Sequence, residues 1–246
     1  MMKAVYHFGR YLMLLRMFFE SPEKFKIYWR LTMQEIVAMG IGSVSIVFII
    51  SVFIGAVTTV QTAYQLVSNL VPKSTIGAIV STSAILELAP TILSLVLAGK
   101  IGSHIAGELG TMRVTEQIDA LEVMGINSAS YLILPKIIGA MIAFPCLVIF
   151  SCFLTHIGGI IAGDMTGEVT AAQFGLGARE FFEPFQVTFM LIKAVTFGFV
   201  ISSISAYQGF YVKGGALEVG RSSTLAVVYS CIFVVFCDYI LAQLLL

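Results

Sequence analysis

The sequence predicts an all-α integral membrane protein: five transmembrane helices, an N-terminal amphipathic interfacial helix and a short cytoplasmic helix. Three observations carry that expectation. Charged residues make up 11% of the 246 and hydrophobic ones 58%, whereas a soluble domain carries about 25% charged residues. Mean hydropathy is +0.96. Five apolar stretches are each long enough for roughly 30 Å of hydrocarbon at about 1.5 Å per residue. Such a chain cannot cover a water-soluble globule with polar groups. That excludes a cytosolic enzyme, a nucleic-acid-binding domain and a disordered scaffold.

Taken in order, residues 3–19 form the interfacial helix. Val5, Phe8, Leu12, Leu15 and Phe19 share one face, and Lys3, His7 and Arg10 lie opposite, the pattern of a helix lying in the membrane plane. Arg10 and Arg16 interrupt the apolar stretch, so it is not a secretory signal. Ser21-Pro22 is an N-cap followed by proline, opening a second helix with Phe25, Trp29, Thr32 and Ile36 on one side. These elements make up residues 1–40 of a single transmembrane domain, 1–246. The spans follow at 41–63, 77–99, 137–162, 186–209 and 224–245. The connections at 64–76, 100–136, 163–185 and 210–223 are short, charged, acidic and glycine-rich respectively.

Orientation follows from Lys and Arg. The first 40 residues hold six, 98–136 three and 207–223 two, against one each in 64–76 and 163–185. The N-terminus and the 100–136 connection are therefore expected in the cytoplasm and the C-terminus outside.

The stretch Gly107–Gly125, GELGTMRVTEQIDALEVMG, is too polar to span. Leu109, Met112, Leu121 and Met124 recur at helical spacing, and Glu108, Arg113, Glu116, Asp119 and Glu122 supply charge. The reading is one short cytoplasmic helix over 107–125. A helix that merely connects two spans has the same pattern.

Glu87, Lys193 and Asp238 lie inside apolar spans, where an isolated charge costs at least about 2.5–3.5 kcal/mol. At about 1.5 Å per residue, Lys193 and Asp238 fall roughly 10 Å below the outer surface and Glu87 near 15 Å. One lysine between two carboxylates is the expected cluster, either a staple joining three helices or a polar lining of a pathway. Gly55 with Thr59, and Gly159 with Gly163, are small-residue pairs that permit close helix approach. Pro90 and Pro145 are expected kinks.

Other chemistry finds little footing. Cys146, Cys152, Cys231 and Cys237 lie in apolar runs without a C-x-x-C pair, which argues against a metal site or disulfide framework. His7, His104 and His156 are far apart in sequence. Val71-Pro72-Lys73-Ser74-Thr75 has Lys-Ser but lacks the glycines that cradle phosphate. Any ATP is therefore expected on a separate protein, with no cofactor and no metal in this chain.

The run ELGTMRVTEQIDALEVMG, preceded by Ala98-Gly99-Lys100-Ile101-Gly102-Ser103, resembles the signature of the MlaE/YrbE family, permease subunits of bacterial ABC transporters of phospholipids and related lipids. Glu87-Leu88-Ala89-Pro90 matches that family's E-L-(G/A)-P. Gly214-Gly215-Ala216-Leu217-Glu218-Val219-Gly220 with Arg221-Ser222-Ser223-Thr224 is similar to its G-A-x-x-V-G-x-(A/S)-T-T element. Two positions depart: Leu86 stands where relatives often have arginine, and Ser222-Ser223-Thr224 replaces A-T-T.

The resemblance implies the fold above, a homodimer in the bacterial inner membrane, ABC ATPase subunits that bind ATP and Mg, and an MCE-domain partner on the outer side. It implies phospholipid as cargo and makes the 107–125 segment a coupling helix for the ATPase. On that helix Glu108, Arg113, Glu116 and Asp119 are expected to hold the charged contacts or the helix ends, while Met112 and Leu121 pack. An ion-gradient-driven secondary transporter or channel, with Glu87, Lys193 and Asp238 as its relay, is the alternative from another class; no inverted repeat supports it. A non-transporting membrane scaffold is the third.

Overall fold

The computed structural model describes residues 2–17, 25–66 and 72–245. These residues hold helices and no strand: α1 Met2–Met17, α2 Phe25–Gln65, α3 Ser74–Val114, α4 Gln117–Val123, α5 Ser128–Thr166, α6 Ala171–Glu180, α7 Pro184–Phe210 and α8 Ala216–Leu245. Helices α2, α3, α5, α7 and α8 are each long and apolar enough to cross a membrane. The chain is a multi-pass, all-α membrane protein.

Several boundaries differ from those read in the sequence. The second N-terminal helix and the expected span 41–63 are one element, α2. No proline interrupts it, and a helical glycine such as Gly40 costs only about 1 kcal/mol. The expected span 77–99 continues to Val114. It absorbs two π-helical stretches, Ala84–Ile92 and Ala98–Gly102. Pro90 sits in the first of these, where its missing N–H cannot close an α-helical bond to the Leu86 carbonyl. Helix α5 begins at Ser128 rather than 137 because Asn127 caps it, its side chain accepting from the Ser130 N–H. Pro135 and Pro145 both lie within continuous α5. The 163–185 connection contains α6, started by a Thr170/Gln173 capping box.

The single helix expected over 107–125 is two helices meeting at a corner. Thr115 ends α3, and Glu116 is left-handed at φ 61. Glu116 N–H donates to the Arg113 carbonyl at 3.2 Å, and its own carbonyl accepts from Ala120 N–H at 2.9 Å. Glu116 thus ends one helix and starts the next, in a conformation where glycine is usual. The glycines in this stretch mislead: Gly107 and Gly110 are inside α3, while Gly125 (φ 78) does follow α4.

The core lies among α3, α5 and α7, around Leu93, Leu97, Ile105, Phe144 and Phe197, all fully buried. Glycines set its spacing against the outer helices. A Cβ on Gly55 of α2 would strike the Thr155 carbonyl of α5, and one on Gly158 would strike that of Val52. A Ser51–Ser151 hydroxyl bond of 2.7 Å crosses the same seam. Gly159 meets Thr59 there as well; Gly158 is the contact the small-residue pattern did not single out. Helix α6 packs on the start of α3, where Gly77 faces the Phe174 backbone.

Helix α1 docks on the bundle by the face expected to be polar and free. His7 Nδ1 lies 2.8 Å from the Tyr207 hydroxyl, Tyr11 donates to Ser203 Oγ at 2.8 Å, and Arg10 stacks 3.7 Å over the Tyr211 ring. Leu14 is buried on that side, whereas Leu12 and Met13 are exposed. Burial pushes the Tyr11 phenol above its ordinary value, with the Ser203 bond opposing. Phe19 and Ser21-Pro22 lie outside the described residues, as do the side chains of Lys3, Val5 and Phe8.

Candidate functional site

Two buried lysines organise the charges of the bundle, one toward each end. Lys193 of α7 is 0% exposed. Its ammonium reaches Glu87 Oε1 of α3 at 2.8 Å, Asp238 Oδ1 of α8 at 2.6 Å and the Leu86 carbonyl at 3.0 Å. A carbonyl oxygen has two lone pairs, so the Leu86 oxygen can accept from Lys193 in addition to its helix bond. Three N–H donors therefore meet three acceptors. The structure brings Glu87, Lys193 and Asp238 together, with Lys193 in contact with both carboxylates.

Two neighbours complete this cluster that the charge reading did not include. Thr91, one turn after Glu87, lies 3.2 Å from Glu87 Oε2 and 3.1 Å from Asp238 Oδ1. Phe189, one turn before Lys193, has its ring 4.7 Å from the ammonium. Helical i±4 spacing was the signal for both. The cluster opens to one side: Glu87 is 49% exposed and Asp238 17%. It carries two carboxylates on one ammonium in the wall of an apolar bundle.

The second cluster was not foreseen. Lys136 of α5, 3% exposed, donates to Glu35 Oε1 of α2 at 2.6 Å and to Glu108 Oε2 of α3 at 2.7 Å. Sequence reading had assigned Lys136 to a cytoplasmic connection. Its signal was the apolar company on either side, Leu-Ile-Leu-Pro before and Ile-Ile-Gly after, the same signal that singled out Lys193.

The residues assigned to coupling are spread around the corner at Glu116. Glu108 belongs to the Lys136 cluster and lies 3.8 Å from His104 Nδ1, a pair at i, i+4 that the histidine reading passed over. Arg113 bonds Asp119 at 2.8 Å across the corner and lies 5.9 Å over Phe210. Met112 packs against the core and Leu121 is half-buried. The anchor of α4 is Ile118, fully buried. Met124, expected on the apolar stripe, is exposed beside exposed Val123. Glu116 is exposed at the tip.

The glycine-rich element also meets this end of α3. A Cβ on Gly110 would lie 3.0 Å from Val219 Cγ1, and one on Gly209 would lie 2.9 Å from Ala106 Cα. Two segments distant in sequence thus pack as one unit. His156 Nε2 is 2.8 Å from Ser81 Oγ. Among the described residues no group of three His, Cys, Asp or Glu is placed to hold a metal ion.

Comparison with known proteins follows the same outline. The profile of the family described as Permease MlaE matches residues 32–244. A probable ABC transporter permease protein of Rickettsia bellii is 37% identical over 218 residues, 89% of this chain and 84% of its own length. One from Synechocystis is 33% identical over 220 residues, 89% and 83%. A chloroplastic protein of Arabidopsis thaliana named for trigalactosyldiacylglycerol is also 33% identical over 220 residues, 89% of this chain and 63% of that one.

Proposed function

The chain belongs to the MlaE permease family, and from that premise we propose that it moves phospholipid or a related lipid between the bacterial inner membrane and an MCE-domain partner on the outer side. As an ABC transporter permease it forms the membrane-spanning part. In this reading two copies pair, and separate ATPase subunits hold ATP and Mg. The N-terminus and the α3–α4 corner lie in the cytoplasm, and the C-terminus lies outside. The ABC permease relatives speak against a transporter driven by an ion gradient.

The observation that supports a lipid cargo is the Lys193 cluster. A half-exposed carboxylate bridged to a buried ammonium is set in an apolar wall, which matches a molecule with a charged head and apolar tails. When lipid enters, its phosphate takes the place of one carboxylate on Lys193. The lipid in the name of the Arabidopsis relative points the same way. The Glu108–Leu121 segment, at the opposite end of the bundle, is where an ATPase engages.

The test is to purify the chain with its natural partners, identify bound lipid by mass spectrometry, and follow ATP-driven transfer of labelled phospholipid from proteoliposomes. Enriched lipid and ATP-dependent transfer support the reading. A preparation that carries an ATPase but moves no lipid class overturns the cargo.

A further inference from the structure

The Lys136 cluster joins three helices at the end of the bundle that carries the coupling segment. Lys136 belongs to α5, Glu35 to α2 and Glu108 to α3. The three are unequally placed. Lys136 is 3% exposed, Glu35 20% and Glu108 37%. A buried ammonium cannot fall back on water and must keep a partner. Glu35 is the sheltered partner, and Gly139, one turn beyond Lys136, leaves room for it: a Cβ at Gly139 would lie 3.0 Å from Glu35 Cβ. Glu108 is the partner at the surface, with His104 3.8 Å away on the open side. The ammonium holds both carboxylates at once, and the outer one, with water beside it, is the one that can leave.

Glu108 is also the first residue of the segment read as the ATPase dock, on the last turns of α3 before the Glu116 corner. We propose that Lys136 is a positioning residue for energy coupling: its bond to Glu108 locks the end of α3 to α5 and α2, and exchange of that bond passes movement of the coupling segment into the spans. Lys136 touches neither nucleotide nor cargo in this role. The inference rests on the reading of the α3–α4 corner as the ATPase-facing segment. It adds which contact transmits the force, and it gives Glu108 an internal partner rather than a place on the docking surface alone.

The experiment uses the permease purified with its ATPase and reconstituted in proteoliposomes with fluorescent phosphatidylethanolamine. ATP hydrolysis and lipid transfer are measured on the same preparation, and their ratio is compared among Lys136→Met, Lys136→Arg and Glu108→Gln. Lys136→Met is expected to lower lipid moved per ATP by roughly tenfold, within the range for mutations along a coupling route. Lys136→Arg, which keeps the charge, restores most of it. Glu108→Gln leaves Lys136 paired with Glu35, so the bundle stays intact, yet the ratio falls in the same direction. If Lys136→Met does not fold, Glu108→Gln and Lys136→Arg still decide. An unchanged ratio in Glu108→Gln, or hydrolysis and transfer falling in step in every variant, overturns the proposal and leaves the cluster a staple. Absence of ATPase or of lipid transfer in the unaltered protein instead overturns the underlying reading.

Discussion

Lys193 has three N–H groups and three acceptors within 3.0 Å, and that satisfaction predicts how its variants behave. Lys193→Ala leaves Glu87 and Asp238 facing each other without a cation, at a cost of about 3 kcal/mol. Lys193→Ala with Asp238→Asn removes one of the stranded charges and should recover part of that loss. Thermal unfolding of the four variants in detergent checks it; strict additivity would mean the residues are uncoupled. Glu116 offers a second test. A left-handed non-glycine residue costs roughly 1–2 kcal/mol, so Glu116→Gly should keep or raise stability, whereas Glu116→Val should lower it. Equal melting temperatures for the two would show that the corner does not hold Glu116 at positive φ. Residue types alone pointed to Glu87, Lys193 and Asp238, because a charge in an apolar run is conspicuous. They did not point to the turn at Glu116, since nothing in a glutamate announces one.

At the scale of elements, the corner between α3 and α4 places Glu116 and Asp119 on exposed surface while Ile118 anchors beneath. Reversing both acids with Glu116→Lys and Asp119→Lys should release the ATPase during co-purification, and the spans should remain folded by circular dichroism. Retained ATPase would move the dock elsewhere. Asp119→Lys also breaks the bond to Arg113, so Asp119→Asn serves as the control for loosening the corner without reversing charge. The seam between α2 and α5 makes the complementary case. Gly158→Val would drive a side chain into the Val52 carbonyl, and overpacking of this kind typically costs about 1–3 kcal/mol. Gly175→Ala, with open space where its Cβ would lie, should change stability far less. The five spans were legible from apolar length, yet their ends and the short helix α6 were not. Polar residues 100–114 continue α3 because they pack against α7 and α8, which no local pattern records.

For the whole molecule, the charge asymmetry between connections predicts sidedness. In a cysteine-free background, Tyr6→Cys and Lys213→Cys should react with an impermeant maleimide only from the cytoplasmic side, and Glu180→Cys only from outside. Labelling of Tyr6→Cys and Glu180→Cys from the same side would overturn the topology. By itself the sequence determined the class, the five apolar helices and the charges that must find partners in hydrocarbon, because hydropathy and the cost of burying charge act locally on any chain of this composition. Only the tertiary structure decided which partners they find. Lys136 meets Glu35 and Glu108 across separations of 101 and 28 residues, and α1 turns His7 and Arg10 inward onto Tyr207 and Tyr211. Such pairings depend on which helices lie side by side. That is set by glycine contacts and core packing distributed over the whole chain, and not by any single segment.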